Sequence, residues 1–150
     1  MDVAPKHHRL LTDPEMLSIL ESTEEELSLA EARLGELAGE IFDGIYEPGL
    51  FAHLVKCGAF TASTVSLQGE AKFILIHSKT ALGWLTVEGI ASIKRCPMQA
   101  IFDAVDELAR RLNCRVIQFV TKLAALQRFA QGRGYRTSGI ILHKNALSLT

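Results

Sequence analysis

The stretch from Gly83 to Lys144 constrains this chain most, because its hydrophobic period switches between that of a strand and that of a helix more than once. It reads strand, helix, strand, short helix, strand. GWLTVEGIASI is rich in β-branched and aromatic residues, and it runs into KRCPMQAIFDAVDELARRL, which has helical periodicity. Met98, Ile101, Phe102, Val105, Leu108, Ala109 and Leu112 recur at steps of three and four, so the helix carries one apolar stripe. Asp103, Asp106, Glu107, Arg110 and Arg111 lie off it. Asn113 is a suitable stop, and RVIQFV then reads as a buried central strand parallel to the strand before the helix. Such a βαβ unit has a right-handed crossover.

Thr121 is placed to cap a second helix through LAALQRFAQ, which Gly132 and Gly134 can end, and the chain returns as YRTSGIILHK. With the Ala- and Leu-rich helix AIFDAVDELARRLNC, the strand RVIQFVT and the run AALQRFAQGRGYRTSGIILHK, this segment resembles the GCN5-related N-acetyltransferase (GNAT) family. The resemblance implies an α/β fold of the acyl-CoA N-acyltransferase type. Its mixed central sheet has antiparallel N-terminal strands and a C-terminal βαβαβ portion, with helices on both faces.

The rest of the chain fits that order. Pro14 after Thr12 and Asp13 is a helix-start signal and predicts a short helix through Leu20. Ser22 and Glu25 have capping-box spacing, which predicts a long helix from about Thr23 to Ile45. Its stripe is Leu27, Ala30, Leu34, Leu37, Ala38, Ile41, Phe42 and Ile45, and its acidic face (Glu31, Glu36, Glu40) suits either solvent or a cationic amine. LFAHLVKCG reads as a further short helix. FTASTVSL and AKFILIH flank QGE as an antiparallel hairpin, so antiparallel strands precede the βαβ unit.

At 150 residues the expected organisation is a single domain over 1–150, with residues 1–12 loose or forming a short strand around Arg9 to Thr12. The net charge of −1 gives no global signal for nucleic acid or for an anionic membrane. No apolar run reaches the ~20 residues that span a bilayer, and MDVAPKHHRLL lacks a signal-peptide core, so a cytoplasmic location is expected. Cys57, Cys96 and Cys114 stand singly, as reduced thiols do, and no Cys-x-x-Cys zinc pattern occurs. The five histidines, at 7, 8, 53, 77 and 143, form no ligand set or triad, and Ser63, Ser66, Ser78 and Ser92 have no nucleophile-elbow context.

In the resembled family a Gln/Arg-x-x-Gly-x-Gly/Ala loop holds the pyrophosphate of acetyl-coenzyme A (acetyl-CoA) at the start of the βαβ helix. The corresponding stretch here is Lys94-Arg95-Cys96-Pro97-Met98-Gln99-Ala100, in which Pro97 and Gln99 stand where glycines would be. The resemblance therefore assigns cofactor contacts to Lys94, Arg95, Met98, Gln99 and Ala100, with two adjacent cations before a helix N-terminus favouring anions. It assigns a further contact to Val87 and Gly89, where the family's strand bulges towards the thioester. Alternation places Trp84, Thr86, Glu88, Ile90 and Ser92 on one face of that strand and Leu85, Val87, Gly89, Ala91 and Ile93 on the other. Glu88, beside the expected bulge, is the candidate general base.

The family often carries a tyrosine four residues before the Gly-aromatic turn, to protonate the departing thiolate. Ala130 occupies that position, and Tyr135 is expected to pack at the start of the last strand. Three functions remain open at this point. One is acetyl transfer to a small-molecule or peptide amine, with a homodimer possible and no nucleic-acid or membrane partner. Another is a catalytically inactive relative kept for binding or assembly. The third is an α/β module unrelated to coenzyme A, which parallel strands that stay together after Val87 would indicate.

Overall fold

The computed structural model describes residues 17–37, 47–120 and 124–137. A five-stranded sheet runs in chain order: β1 (Leu17–Glu21), β2 (Thr61–Leu67), β3 (Glu70–Lys79), β4 (Trp84–Ser92) and β5 (Val116–Phe119). The first four are antiparallel neighbours, and β5 lies parallel to β4 with Trp84 opposite Val116 and Val87 opposite Phe119. The helices are α1 (Glu24–Glu36), α2 (Leu50–Lys56), α3 (Met98–Arg111) and α4 (Ala124–Gly132). No helix among the described residues is long and apolar enough to cross a membrane.

The βαβ unit has the predicted form. α3 buries Phe102, Val105 and Leu108, and Val105 and Leu108 meet Val65, Phe73, Leu75, Leu85 and Val87 on one face of the sheet. Asn113 takes the left-handed conformation (φ 57°) that closes the helix, and Cys114 N donates back to Ala109 O at 2.9 Å. Lys79 Nζ donates to Leu112 O at 2.8 Å, placing a cation where the helix dipole is negative. β5 is less enclosed than a central strand would be, with Val116 36% exposed.

The opposite face is covered by α1 and α2, through Leu27, Ala30, Leu34 and Phe51 against Ala62, Ile74, Ile76 and Ala91. The hairpin between β2 and β3 turns at Gln68 and Gly69, with φ of 53° and 82°, the pair of positive values that a two-residue connection favours. Beyond Glu36 the predicted long helix reaches Leu37, the last residue described before 47; Ala38, Glu40, Ile41, Phe42 and Ile45 lie outside the described residues, as do Thr121, His7, His8, His143 and the last predicted strand.

Three expectations are corrected. The short helix predicted to end at Leu20 is instead β1: Leu17 and Ile19 alternate into the core beside Val65, and pairing with β2 outweighs a local start signal. The capping box sits one residue later than predicted, at Thr23 and Glu26. Ser22 N is still committed to the sheet, donating to Ala62 O at 2.9 Å, so the first residue free to cap is Thr23. α4 does end at Gly132, but without the left-handed conformation expected there, which of the two glycines Gly134 alone takes (φ 93°).

Candidate active site

The two sides of β4 change over at Glu88. Val87 lies opposite His77 and Gly89 opposite Ile76, so Glu88 has no partner on β3 and forms a bulge. The strict alternation expected along this strand is thereby corrected. Leu85, Val87 and Ile90 face α3, whereas Gly89 and Ala91 face α1. One extra residue inverts the phase of everything after it.

The α1 side of the bulge is built closely. Gly89 lies under Leu34, and a Cβ added there would stand 3.2 Å from Leu34 Cδ1. Glu88 is half-buried, and Ser78 Oγ donates to its Oε2 at 3.0 Å. Burial raises the Glu88 carboxyl above the usual range, and the Ser78 hydroxyl partly offsets this by stabilising the carboxylate. Ser78 carried no signal in the sequence, because its reach to Glu88 depends on the bulge.

Pairing between β4 and β5 ends at Val87, whose carbonyl accepts from Val120 N at 3.3 Å. Among the described residues β4 therefore runs on to Ser92 without a neighbour on that side. Ile93 N donates to Lys72 O at 2.8 Å, so Ala91 and Ile93 turn their backbone groups towards β3, and Ile90 and Ser92 turn theirs towards the open edge. Free backbone groups beside a bulge and a half-buried carboxylate can hold a polar chain and accept a proton.

Beyond β4 the loop from Ile93 to Pro97 leads into α3. Lys72 O accepts from both Ile93 N and Lys94 N, which pins the start of the loop to β3. The two cations predicted to wait for an anion differ. Lys94 Nζ lies 2.5 Å from Glu70 Oε2, and Lys72 Nζ 2.8 Å from Glu70 Oε1. Those partners hold the Glu70 carboxyl down at about 2. Arg95 is exposed and has no ion pair among the described residues. Lys94 is thus a paired cation, which an anion would share with Glu70.

Pro97 occupies the cap position of α3 without a side-chain cap, and no acidic residue stands in the first turn. The leading amides at Met98 and Gln99 therefore face no competing carboxylate, and they suit an anion. Ala100 N instead donates to Pro97 O at 3.0 Å. Burial pushes the neighbouring Cys96 thiol up, which keeps it a thiol.

On the α3 side, Phe102 is enclosed by Phe119, Phe129 and Tyr135, with centroids at 5.0, 5.3 and 5.5 Å. Ala130 packs in this cluster. The Tyr135 hydroxyl is buried without a hydrogen-bond partner among the described residues, and burial raises it to about 12. Arg133 closes the group from outside, 5.7 Å from the Phe102 centroid and bonded to Asp103 and Asp106. His77, also within the sheet, is bonded to Ser63 Oγ at 2.9 Å on the face opposite Ser78. Three of the acidic residues on α1 have structural partners: Glu26 accepts from Thr23 N and Thr64 Oγ1, Glu31 accepts from Gly49 N and Ala52 N at the start of α2, and Glu36 pairs with Arg33.

No family model matches the chain, and no curated protein matches it in sequence. Solved structures match the fold. A ribosomal-protein-alanine N-acetyltransferase from Brucella melitensis biovar Abortus 2308 is similar at a TM-score of 0.59 and 12% identity, over 86% of this chain and 97% of that one. Ard1 from Thermoplasma volcanium is similar at 0.58 and 17% identity, over 83% and 85%. The aminoglycoside N-acetyltransferase AAC(6')-Iy, in complex with the bisubstrate analogue CoA-S-monomethyl-acetylneamine, is similar at 0.56 and 15% identity, over 86% and 97%.

Proposed function

We propose, for a chain that has the fold of the GCN5-related N-acetyltransferases, that it transfers an acetyl group from acetyl-CoA to the amine of a small molecule or peptide. The observation that supports this reading best is the bulge at Glu88, which sets a half-buried carboxylate beside the point where β5 stops pairing with β4. Parallel strands that stayed paired past Val87 would have favoured an unrelated α/β module.

Acetyl-CoA, when bound, supplies the acetyl group as a thioester. The first amides of α3, at Met98 and Gln99, and the Arg95 guanidinium fit its pyrophosphate, and the backbone groups of Ile90 and Ser92 on the open β4 edge fit the amides of its pantetheine arm. Glu88 takes the proton that the amine loses as its nitrogen bonds to the acetyl carbon and the carbon–sulfur bond breaks. The departing thiolate takes its proton from water, because Ala130 stands where the resembled family often has tyrosine. A positioned acid contributes roughly 10²–10⁴-fold, so turnover on generic amines is slow.

Release of free thiol from acetyl-CoA across an amine panel tests this function, together with thermal stabilisation by coenzyme A. Ligand at about 100 times its dissociation constant adds ~2.7 kcal/mol. Glu88→Gln should slow transfer at neutral pH and leave the stabilisation unchanged. Neither transfer nor stabilisation in the wild type would favour the inactive relative.

A further inference from the structure

We propose that Ser78 is the positioning residue for Glu88: its hydroxyl holds Oε2, leaving Oε1 as the oxygen that accepts the proton of the amine. This rests on the acetyltransferase reading for its chemistry, but the contact itself rests on geometry alone. Ser78 and Thr86 are opposite one another on β3 and β4, and Glu88 follows two residues later as the bulged residue without a partner. Its backbone therefore lacks the cross-strand neighbour that would otherwise fix its side chain. The 3.0 Å bond from Ser78 Oγ supplies that constraint.

The bond also favours the charged carboxylate, which burial disfavours. Among the described residues, the other charged or titratable groups of the surrounding elements that make side-chain bonds make them elsewhere. His77 lies on the opposite face against Ser63, Lys79 reaches Leu112 O, and Lys72 is bonded to Glu70. On α1, which packs on β4, Glu31 serves the start of α2 and Arg33 pairs with Glu36. β5, from Val116 to Phe119, carries none. Among the described residues Ser78 is thus the group that counters burial at Glu88, by donating a hydrogen bond to Oε2.

The test is a carboxyl carbon-13 NMR titration of Glu88 in the free protein, for wild type, Ser78→Ala and Ser78→Thr. The expected result is a Glu88 midpoint that moves to higher pH in S78A and returns towards wild type in S78T, which keeps the hydroxyl on a strand-compatible residue. Where transfer is measurable, S78A should lower kcat about tenfold, the order expected for one hydrogen bond to a charged group. Its acid limb should move the same way as the titration, with KM for acetyl-CoA unchanged. An unmoved midpoint in folded S78A, or one that S78T does not restore, overturns the assignment. Absence of transfer by the wild type would instead overturn the acetyltransferase reading, and the titration would still decide whether Ser78 governs Glu88.

Discussion

Gly89 and Leu34 are in contact through the one position on the bulge where β4 has no side chain: a Cβ at 89 would lie 3.2 Å from Leu34 Cδ1 and 3.8 Å from Ile76 Cβ. Leu34 is fully buried among Ala30, Ile74 and Ile76, so it has little room to yield. The bulge and α1 are therefore held together by a close approach rather than by a polar contact.

Gly89→Ala should destabilise the protein by about 1 kcal/mol. Overpacking costs ~1–3 kcal/mol, and the lost backbone freedom of glycine in the unfolded chain returns part of that. In a Leu34→Ala background, where the space is open, the same change should become neutral or stabilising. Denaturant midpoints for the four proteins of the cycle measure this, and additive effects would show that Leu34 does not make glycine necessary.

His77 makes stability depend on pH. It is 4% exposed, and burial lowers it from an ordinary value near 6.5 to about 4. Between those values the unfolded chain binds the proton and the folded chain does not, so stability is complete above about 6.5 and falls as pH drops towards 4. The loss is roughly 3 kcal/mol by pH 4. Glu70 and Glu107, both held down from 4.5 to about 2 by their cationic partners, contribute stability that is present above about 4.5 and lost as pH falls towards 2, so they begin to act only at the lower edge of this window. Unfolding at pH 7 and pH 4.5 should separate wild type from His77→Gln, which can still bond Ser63 and should lose much less.

Phe102→Ala should cost ~3–5 kcal/mol, because the ring is fully buried and contacts Phe119, Phe129 and Tyr135 together. It also removes the surface under the Arg133 guanidinium. Phe102→Leu should cost far less, since it keeps most of the volume. Equal thermal midpoints for these two variants would mean that the cluster is looser than its ring distances indicate.

The parts legible in the sequence are those where local pattern and tertiary packing agree. The stripe of Phe102, Val105 and Leu108 predicted the buried side of α3, and Asn113 predicted its end. β1 was not legible, because five residues with little intrinsic preference become a strand only when β2 is beside them. The bulge was anticipated from Gly89, but its phase was not, since strict alternation gives no sign that Glu88 and Gly89 are consecutive residues on the α1 side. Lys94 gave no sign of a partner because Glu70, twenty-four positions earlier, meets it only through the antiparallel pairing of β3 with β4.

That ion pair leads to the last prediction, which concerns coenzyme A. An anion approaching α3 meets Arg95, which has no ion pair among the described residues, but it must compete with Glu70 for Lys94 at 2.5 Å. Arg95→Ala should therefore weaken coenzyme A binding more than Lys94→Ala. Glu70→Gln should strengthen it, because the carboxylate no longer occupies Lys94. Binding should also fall with added salt, since exposed charges are screened over ~8–10 Å at ordinary ionic strength. Glu25→Gln, on the exposed first turn of α1, controls for the change in net charge. Isothermal titration at low and high salt provides the measurement. If Arg95→Ala and Lys94→Ala have equal effects and Glu70→Gln acts no differently from Glu25→Gln, the Glu70 pair does not influence the anion. If neither alanine substitution has any effect while the wild type binds, coenzyme A is held somewhere other than this loop.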